Sequence, residues 1–227
     1  MKDRLDKKSI AARVAREFSN GMLINLGYGM PSLCSNYIPE DMSVYFMGEN
    51  GVLGYGALKN DDKPDYELIN ASDQPVARAP GMCFFDSAMS FDMVRGGHID
   101  IAVLGAYQVS QGGDLANWGR PGRPATGMGG GMDLAVGCSK LIVMMQHTTK
   151  DGEYRIVKNC SFPLTATNCV DRIFTDIAVI DVTGEGLLLK EVAPDWTADE
   201  VQELTEVPLI ISDDLNVIEW QHLCFSY

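Results

Sequence analysis

The chain has 227 residues, 46% hydrophobic and 22% charged, with a formal net charge of −13 from 31 acidic and 18 basic side chains. Those proportions are globular and exclude disorder, collagen and coiled coil as whole-chain descriptions, and no apolar run reaches the roughly 18 residues of a membrane span. The acidity argues against nucleic acid or an anionic membrane as partner, because phosphate backbones need a positive footprint, while a small anion can still bind at a local basic patch or at backbone amides.

Residues 3–20 read as an amphipathic helix, with Leu5, Ile10, Val14 and Phe18 at four- or five-residue steps and Gly21 as its stop. Met22–Leu26 is a short apolar run and reads as a buried strand. It leads into Gly27-Tyr-Gly29-Met-Pro-Ser32, where Ser32 is a fair N-cap for a short helix. Val44–Met47 is a second buried strand that breaks into Gly48-Glu49-Asn50-Gly51, with Gly54 and Gly56 close behind. Residues 59–66 form a polar surface turn. A helix over 87–95 opens at Asp86 or Ser87 and closes at Gly96-Gly97. Ile99–Leu104 is a strand. The stretch 112–131 is rich in glycine, and a helix is predicted to begin in Met132-Asp-Leu-Ala-Val-Gly-Cys138. Leu141–Met145, Ile177–Val182 and Leu187–Val192 are further strands. Thr197 with Glu200 makes a capping-box pattern, and Pro208 follows the end of that helix. Short apolar strands alternating with helices predict an α/β fold, a mixed sheet covered by helices, in a single domain over 1–227.

Six scattered cysteines without a C-x-x-C pair, and an N-terminus charged throughout with no apolar core, predict free thiols, no secretory signal and a cytoplasmic location. His98, His147 and His222 share no metal-ligand spacing, so no metal is expected.

Chemistry in open α/β sheets gathers at the carboxyl ends of strands. Glu49 directly follows a predicted strand. A glutamate there is most often a solvated loop residue, but four nearby glycines with little competing charge also suit a carboxylate nucleophile. Gly127-Met-Gly129-Gly130-Gly131-Met-Asp133 is either a flexible loop or a nest of N–H groups for an anion or developing oxyanion. Gly27-Tyr-Gly29 only half-matches a dinucleotide fingerprint, and no Gly-Lys-Ser/Thr triplet for ATP occurs. Arg120, Arg123 and Lys140 suit ligand phosphates or plain solvated surface equally.

At these residues the sequence resembles family I CoA-transferase β subunits. Gly48-Glu49-Asn50-Gly51-Val-Leu-Gly54 is similar to their active-site motif, closest to the succinyl-CoA:3-oxoacid type, with 3-oxoadipate and butyrate–acetoacetate transferases as near relatives. Other segments match in order: Gly27-Tyr-Gly-Met-Pro31, Leu68-Ile-Asn-Ala71, Arg95-Gly-Gly-His-Ile-Asp100, Gly113-Asp-Leu-Ala-Asn117-Trp118, Gly127 through Leu134, and Pro163-Leu-Thr165. Each motif is weak alone, but the ordered set is highly specific.

The resemblance implies the NagB/RpiA/CoA-transferase fold and transfer of CoA between an acyl-CoA and a carboxylic acid. Glu49 would carry the coenzyme as a glutamyl thioester. Backbone N–H groups of Gly129, Gly130 and Gly131 would stabilise the oxyanion. Asn50, Gly51, Gly27, Gly29, Asn117 and Arg120 would line the substrate or CoA loops. Coenzyme A is then a substrate, no cofactor is bound permanently, and an α subunit completes a heterodimer or an α2β2 heterotetramer. A CoA-ester hydrolase or ring-cleaving relative on the same fold, or a non-catalytic assembly subunit, are the alternatives. Asp73 stands where related chains often carry lysine, Gly56-Ala57 replaces a usual Gly-Pro, Gly-Gly-Gly-Met-Asp replaces Gly-Gly-Ala-Met-Asp, and the ending 220–227 has no evident counterpart.

Overall fold

The apolar runs become the centre of a ten-stranded mixed sheet in the computed structural model, which describes residues 2–56, 58, 63–122 and 127–219. The expected turn over 59–66 lies partly outside those residues. Arg123 and the ending 220–227, with His222 and Cys224, lie wholly outside them. In chain order come helix α1 (Lys7–Ala15), strand β1 (Leu23–Leu26), a 3-10 helix (Pro31–Tyr37), β2 (Tyr45–Gly48), β3 (Val52–Leu53), β4 (Cys83–Phe84), α2 (Ser87–Arg95), β5 (Ile99–Gly105), β6 (Gln108–Ser110) and β7 (Leu115–Ala116). Then follow α3 (Gly131–Gly137), β8 (Cys138–Met144), β9 (Ile156–Val157), β10 (Arg172–Phe174), β11 (Ala178–Thr183), β12 (Gly186–Val192), α4 (Ala198–Glu203) and β13 (Leu209–Val217).

The large sheet runs β13-β12-β11-β10-β8-β5-β1-β2-β3-β4. Its middle, from β2 through β1, β5 and β8 to β10, is parallel, and the pairs β10–β11, β11–β12, β2–β3 and β3–β4 are antiparallel. Parallel strands are covered on both faces and so read as continuous apolar runs. Ile24, Ala102, Val103, Ile142 and Val143 are fully buried accordingly. A second sheet of three short strands, β7-β6-β9, stands apart.

Several local expectations shift. The first helix is shorter than 3–20. It is capped by Asp6, whose Oδ1 accepts from the Ser9 N–H at 2.7 Å, and it gives way at Arg16, ahead of Gly21. Ser32 is not an N-cap. It lies inside the 3-10 helix and its hydroxyl donates back to the Gly29 carbonyl oxygen at 2.8 Å. Asp86 caps α2, and Thr197 and Glu200 form the full capping box of α4, as the pattern predicted. Lys140 does not face a ligand loop. Its ammonium donates to Glu17 at 3.0 Å, within a network that also holds Arg13 and Arg172. The five described cysteines are free. Burial pushes Cys138 and Cys160 up to about 11, and Cys169 to about 12. No described helix is long and apolar enough to cross a membrane, and no three described metal-ligating side chains cluster.

Candidate active site

Because the middle strands are parallel, their carboxyl ends share one rim, where ligands meet such sheets. Gly27 leaves β1 there, Glu49 leaves β2, Gly105 ends β5 and Met145 leaves β8. Glu49 stands on a tight turn. The Gly51 N–H donates to the Gly48 carbonyl oxygen at 2.9 Å, and the Gly51 carbonyl oxygen in turn accepts from the Phe85 N–H at 3.0 Å. Gly51 has φ +106°, and a Cβ there would lie 2.0 Å from the Phe85 carbonyl oxygen. Only glycine satisfies both demands.

The Glu49 carboxylate is half-buried and has no cation within ion-pair distance among the described residues. Its partner is Asn25, paired in register with Met47 across β1 and β2. The Asn25 Nδ2 donates to Glu49 Oε2 at 2.9 Å and to the Met47 carbonyl oxygen at 3.0 Å. Asn25 is fully buried and its Oδ1 has no hydrogen-bond partner among the described residues, a cost a structural core rarely carries. Tyr55, buried nearby, has its hydroxyl pushed well above the ordinary phenol range, first by burial and then by the Glu49 charge. An unpaired, partly accessible carboxylate held by one neutral donor keeps its lone pairs available for attack.

Across from Glu49 stands Gly130, the N-cap of α3. A Cβ on Gly130 would meet the Phe91 ring at 3.0 Å and Glu49 Cγ at 3.5 Å. Phe91 comes from α2, so α2 and α3 together frame the carboxylate. Gly131 lies beside Asn117 and Thr165, and the Thr165 hydroxyl donates to Asn117 Oδ1 at 2.7 Å. Glu49, Gly130, Gly131 and Asn117 are thus brought into one neighbourhood. The remaining expected residues have other surroundings. Asn50 turns its Nδ2 to the Ile69 carbonyl oxygen at 2.9 Å, Gly27 packs against Val103 and Leu104, and Gly29 (φ +88°) and Gly129 (φ +53°) are exposed turn positions. Arg120 lies over the Tyr107 ring, 4.2 Å from its centroid, on the wall of a cavity that Glu49 does not line. Asp73 is exposed, with φ +57°, on the turn whose Asn70 bonds to Gln74. Sequence reasoning misses Asn25, whose one signal is a polar residue inside the apolar run Leu-Ile-Asn-Leu.

The family model described as "Coenzyme A transferase" matches residues 7–204. A subunit of the 3-oxoadipate CoA-transferase of Pseudomonas putida is 49% identical over 210 residues, covering 91% of this chain and 97% of that one. The human mitochondrial succinyl-CoA:3-ketoacid coenzyme A transferase 2 is 46% identical over 92% of this chain, which spans 41% of that longer protein. Among solved structures, the acyl-CoA transferase YdiF of Escherichia coli O157:H7, in a thioester complex with CoA, superposes with a TM-score of 0.77 at 19% identity, covering 98% of this chain and 45% of that one. At that identity the likeness shows the fold. With one family model running from the first helix to the last, and relatives near half-identical along nearly all of the chain, this protein belongs to the coenzyme A transferase family.

Proposed function

We propose that this chain is the catalytic β subunit of a two-subunit CoA-transferase that works through a covalent glutamyl-CoA thioester on Glu49. CoA transfer is the chemistry of the family, and the observation that carries the finer reading is the Glu49 carboxylate itself. It is half-buried, free of any described cation, held by Asn25 and faced by Gly130. A Glu49 oxygen attacks the thioester carbonyl carbon, the C–S bond breaks, and an acyl–glutamyl anhydride and CoA thiolate result. The thiolate then attacks the glutamyl carbonyl carbon and releases the first acid as its carboxylate. The incoming acid carboxylate reverses both steps and leaves as its CoA ester, so thioester energy is conserved and no ATP is needed.

Each addition develops an oxyanion. Asn25 Nδ2 already sits at one glutamyl oxygen. Of the three glycines, Gly131 is the weakest donor, because its N–H is bonded to the Met128 carbonyl oxygen at 3.2 Å, whereas no described backbone carbonyl engages Gly130 N–H. A partner of the α-subunit type fits the surroundings of the site. Tyr28, Phe84, Met132 and Val136, on segments that adjoin the site's residues, expose 76%, 66%, 42% and 72% of their surface, apolar groups that a partner subunit would cover. The 3-oxoadipate and 3-ketoacid names of the relatives make a 3-oxoacid or other short-chain acid the natural acceptor.

The test uses the co-expressed complex. Glu49→Gln lowers CoA exchange by at least about 10³-fold. Wild-type protein given acyl-CoA alone shows a CoA-sized mass increase on the peptide containing Glu49. Exchange near the wild-type rate in the variant overturns the reading.

A further inference from the structure

The small sheet brings three side chains to one of its ends. Tyr107 precedes β6, Arg155 precedes β9, which runs parallel to β6, and Asn117 follows β7, which runs antiparallel to it. Hydrogen bonds from Tyr107 N–H to the Ala116 carbonyl oxygen at 2.8 Å and from Val109 N–H to the Arg155 carbonyl oxygen at 2.9 Å lock that end. Arg120, three residues beyond Asn117, folds back over Tyr107. Two guanidinium groups therefore share one cavity of about 520 Å³, with Gln146 and Lys150 on its wall.

This pair lacks what paired arginines in a folded protein usually have. Neither guanidinium has a carboxylate within 4.0 Å among the described residues, and the Nε of each is buried with no hydrogen-bond partner. Arg155 spends one Nη on the Gln146 carbonyl oxygen, at a long 3.4 Å. Asp151 and Glu153 also line the cavity, and neither comes within ion-pair distance of these arginines. Burial and the Arg120 charge both push the Arg155 guanidinium below its ordinary value, so the arrangement works against itself until an anion arrives. The Nη groups of Arg120, and the Nη of Arg155 not turned to Gln146, suit the oxygens of a phosphate or carboxylate.

The position matters as much as the charge. A second cavity, of about 270 Å³, shares Tyr107, Gln146 and Arg155 with the first and reaches Asn117 and Gly105 on the catalytic rim. Asn117 touches Gly131, and its neighbour Gly130 faces Glu49. A continuous path of contacts thus joins the carboxylate to the arginine pair. We propose that Arg120 and Arg155 form a cradle for the distal oxyanion group of the ligand whose reacting end meets Glu49. The inference rests on the reading of Glu49 given above. The same chemistry is offered by a CoA phosphate and by the far carboxylate of a dicarboxylic acid.

The experiment compares wild type, Arg120→Gln, Arg155→Gln and Arg155→Lys in the assembled complex. Losing one fork raises the KM of the ligand it holds by about 10- to 100-fold while kcat changes little. A rise confined to dicarboxylic acids, with monocarboxylic acids unaffected, assigns the cradle to the acid. A rise for every acyl-CoA assigns it to phosphate. Arg155→Lys restores charge without the fork and recovers only part of the loss. Inorganic pyrophosphate and glutarate, titrated calorimetrically into the Glu49→Gln complex, bind with or without turnover, which separates this proposal from the mechanism. Unchanged KM values in the variants, or no binding of either anion to the wild-type and Glu49→Gln complexes, overturns the cradle.

Discussion

Two glycines near the site serve opposite purposes, and the space around each says which is which. A Cβ at Gly51 would lie 2.0 Å from a backbone oxygen, and its φ of +106° is hostile to any side chain. Neither the Phe85 carbonyl nor the turn can yield without opening the strand end, so Gly51→Ala costs stability of about 3 kcal/mol or more. A Cβ at Gly130 meets only the rim of the Phe91 ring at 3.0 Å and Glu49 Cγ at 3.5 Å, and its φ of −79° is ordinary. The ring can move by a few tenths of an ångström, and Glu49 is displaced with it. Gly130→Ala therefore keeps its melting temperature within a few degrees of wild type but loses about 10- to 100-fold in kcat, as misplaced reacting groups do. Thermal melts and steady-state rates on the two variants separate backbone necessity from room beside the Glu49 carboxylate. Equal melting temperatures for both would overturn the distinction.

At the scale of elements, the site depends on how α2 and α3 are seated. Asp86 caps α2 through its Oδ1, which accepts from the Met89 N–H at 2.9 Å, and Arg95 at the other end reaches Asp133 of α3 at 2.8 Å. The Arg95–Asp133 pair is exposed and contributes little. The cap contributes more, and Asp86→Ala is expected to cost about 1 kcal/mol, a drop of roughly 2–4 °C in melting temperature for a chain of this size. Because α2 carries Phe91, kcat falls alongside, while the Arg95→Ala variant leaves both measurements near wild type. These helices were legible because capping is local: Asp86 and Thr197 lie within three residues of the N–H groups they satisfy. The parallel strands were legible because burial on both faces makes their sequence continuously apolar. Strands β3, β4, β7 and β9 have two residues each, too few for any period to show. Strand β13 escapes sequence reasoning for another reason. It is a sheet edge, and its Ser212-Asp213-Asp214 stretch, which reads as a turn, falls where the register to β12 jumps from Ile211 to Asn216.

Across the whole molecule, what sequence order hides is what the sheet assembles. Glu49 and the glycines around it stood out locally. Asn25 lies 24 residues away and reaches Glu49 only because β1 and β2 pair, and Arg155 meets Arg120 only because β6 and β9 pair. Glu17 shows the same principle in the core: it joins α1 to β8 and β10 through Lys140 and Arg172. His147 is the clearest case, because it ties three distant segments with one ring. Its backbone N–H donates to Asp176 Oδ1 at 2.8 Å, Nδ1 lies 3.0 Å from Thr175 Oγ1, and Nε2 lies 2.9 Å from Thr205 Oγ1. The Thr205 hydroxyl hydrogen is committed to the Val201 carbonyl oxygen at 2.8 Å, so Nε2 carries the proton, while the Thr175 hydroxyl oxygen beside Nδ1 already accepts the Ile177 and Ala178 N–H groups at 3.2 and 2.9 Å. A second ring proton has no free acceptor. Burial first, and then the Arg4 charge, push this histidine from 6.5 down to about 3. Its pKa is lower folded than unfolded, so the unfolded chain binds the proton first as pH falls. The stabilisation is complete above about pH 6.5 and is lost progressively toward pH 3. Between pH 7.5 and 5.0 this one ring removes about 2 kcal/mol of stability, at about 1.36 kcal/mol per pH unit below its unfolded value. Denaturant unfolding of wild type and His147→Asn at those two pH values isolates it from the carboxylates, which titrate alike in both. Wild type should lose about 2 kcal/mol more than the variant on acidification, and equal losses would show that the buried ring does not govern acid sensitivity.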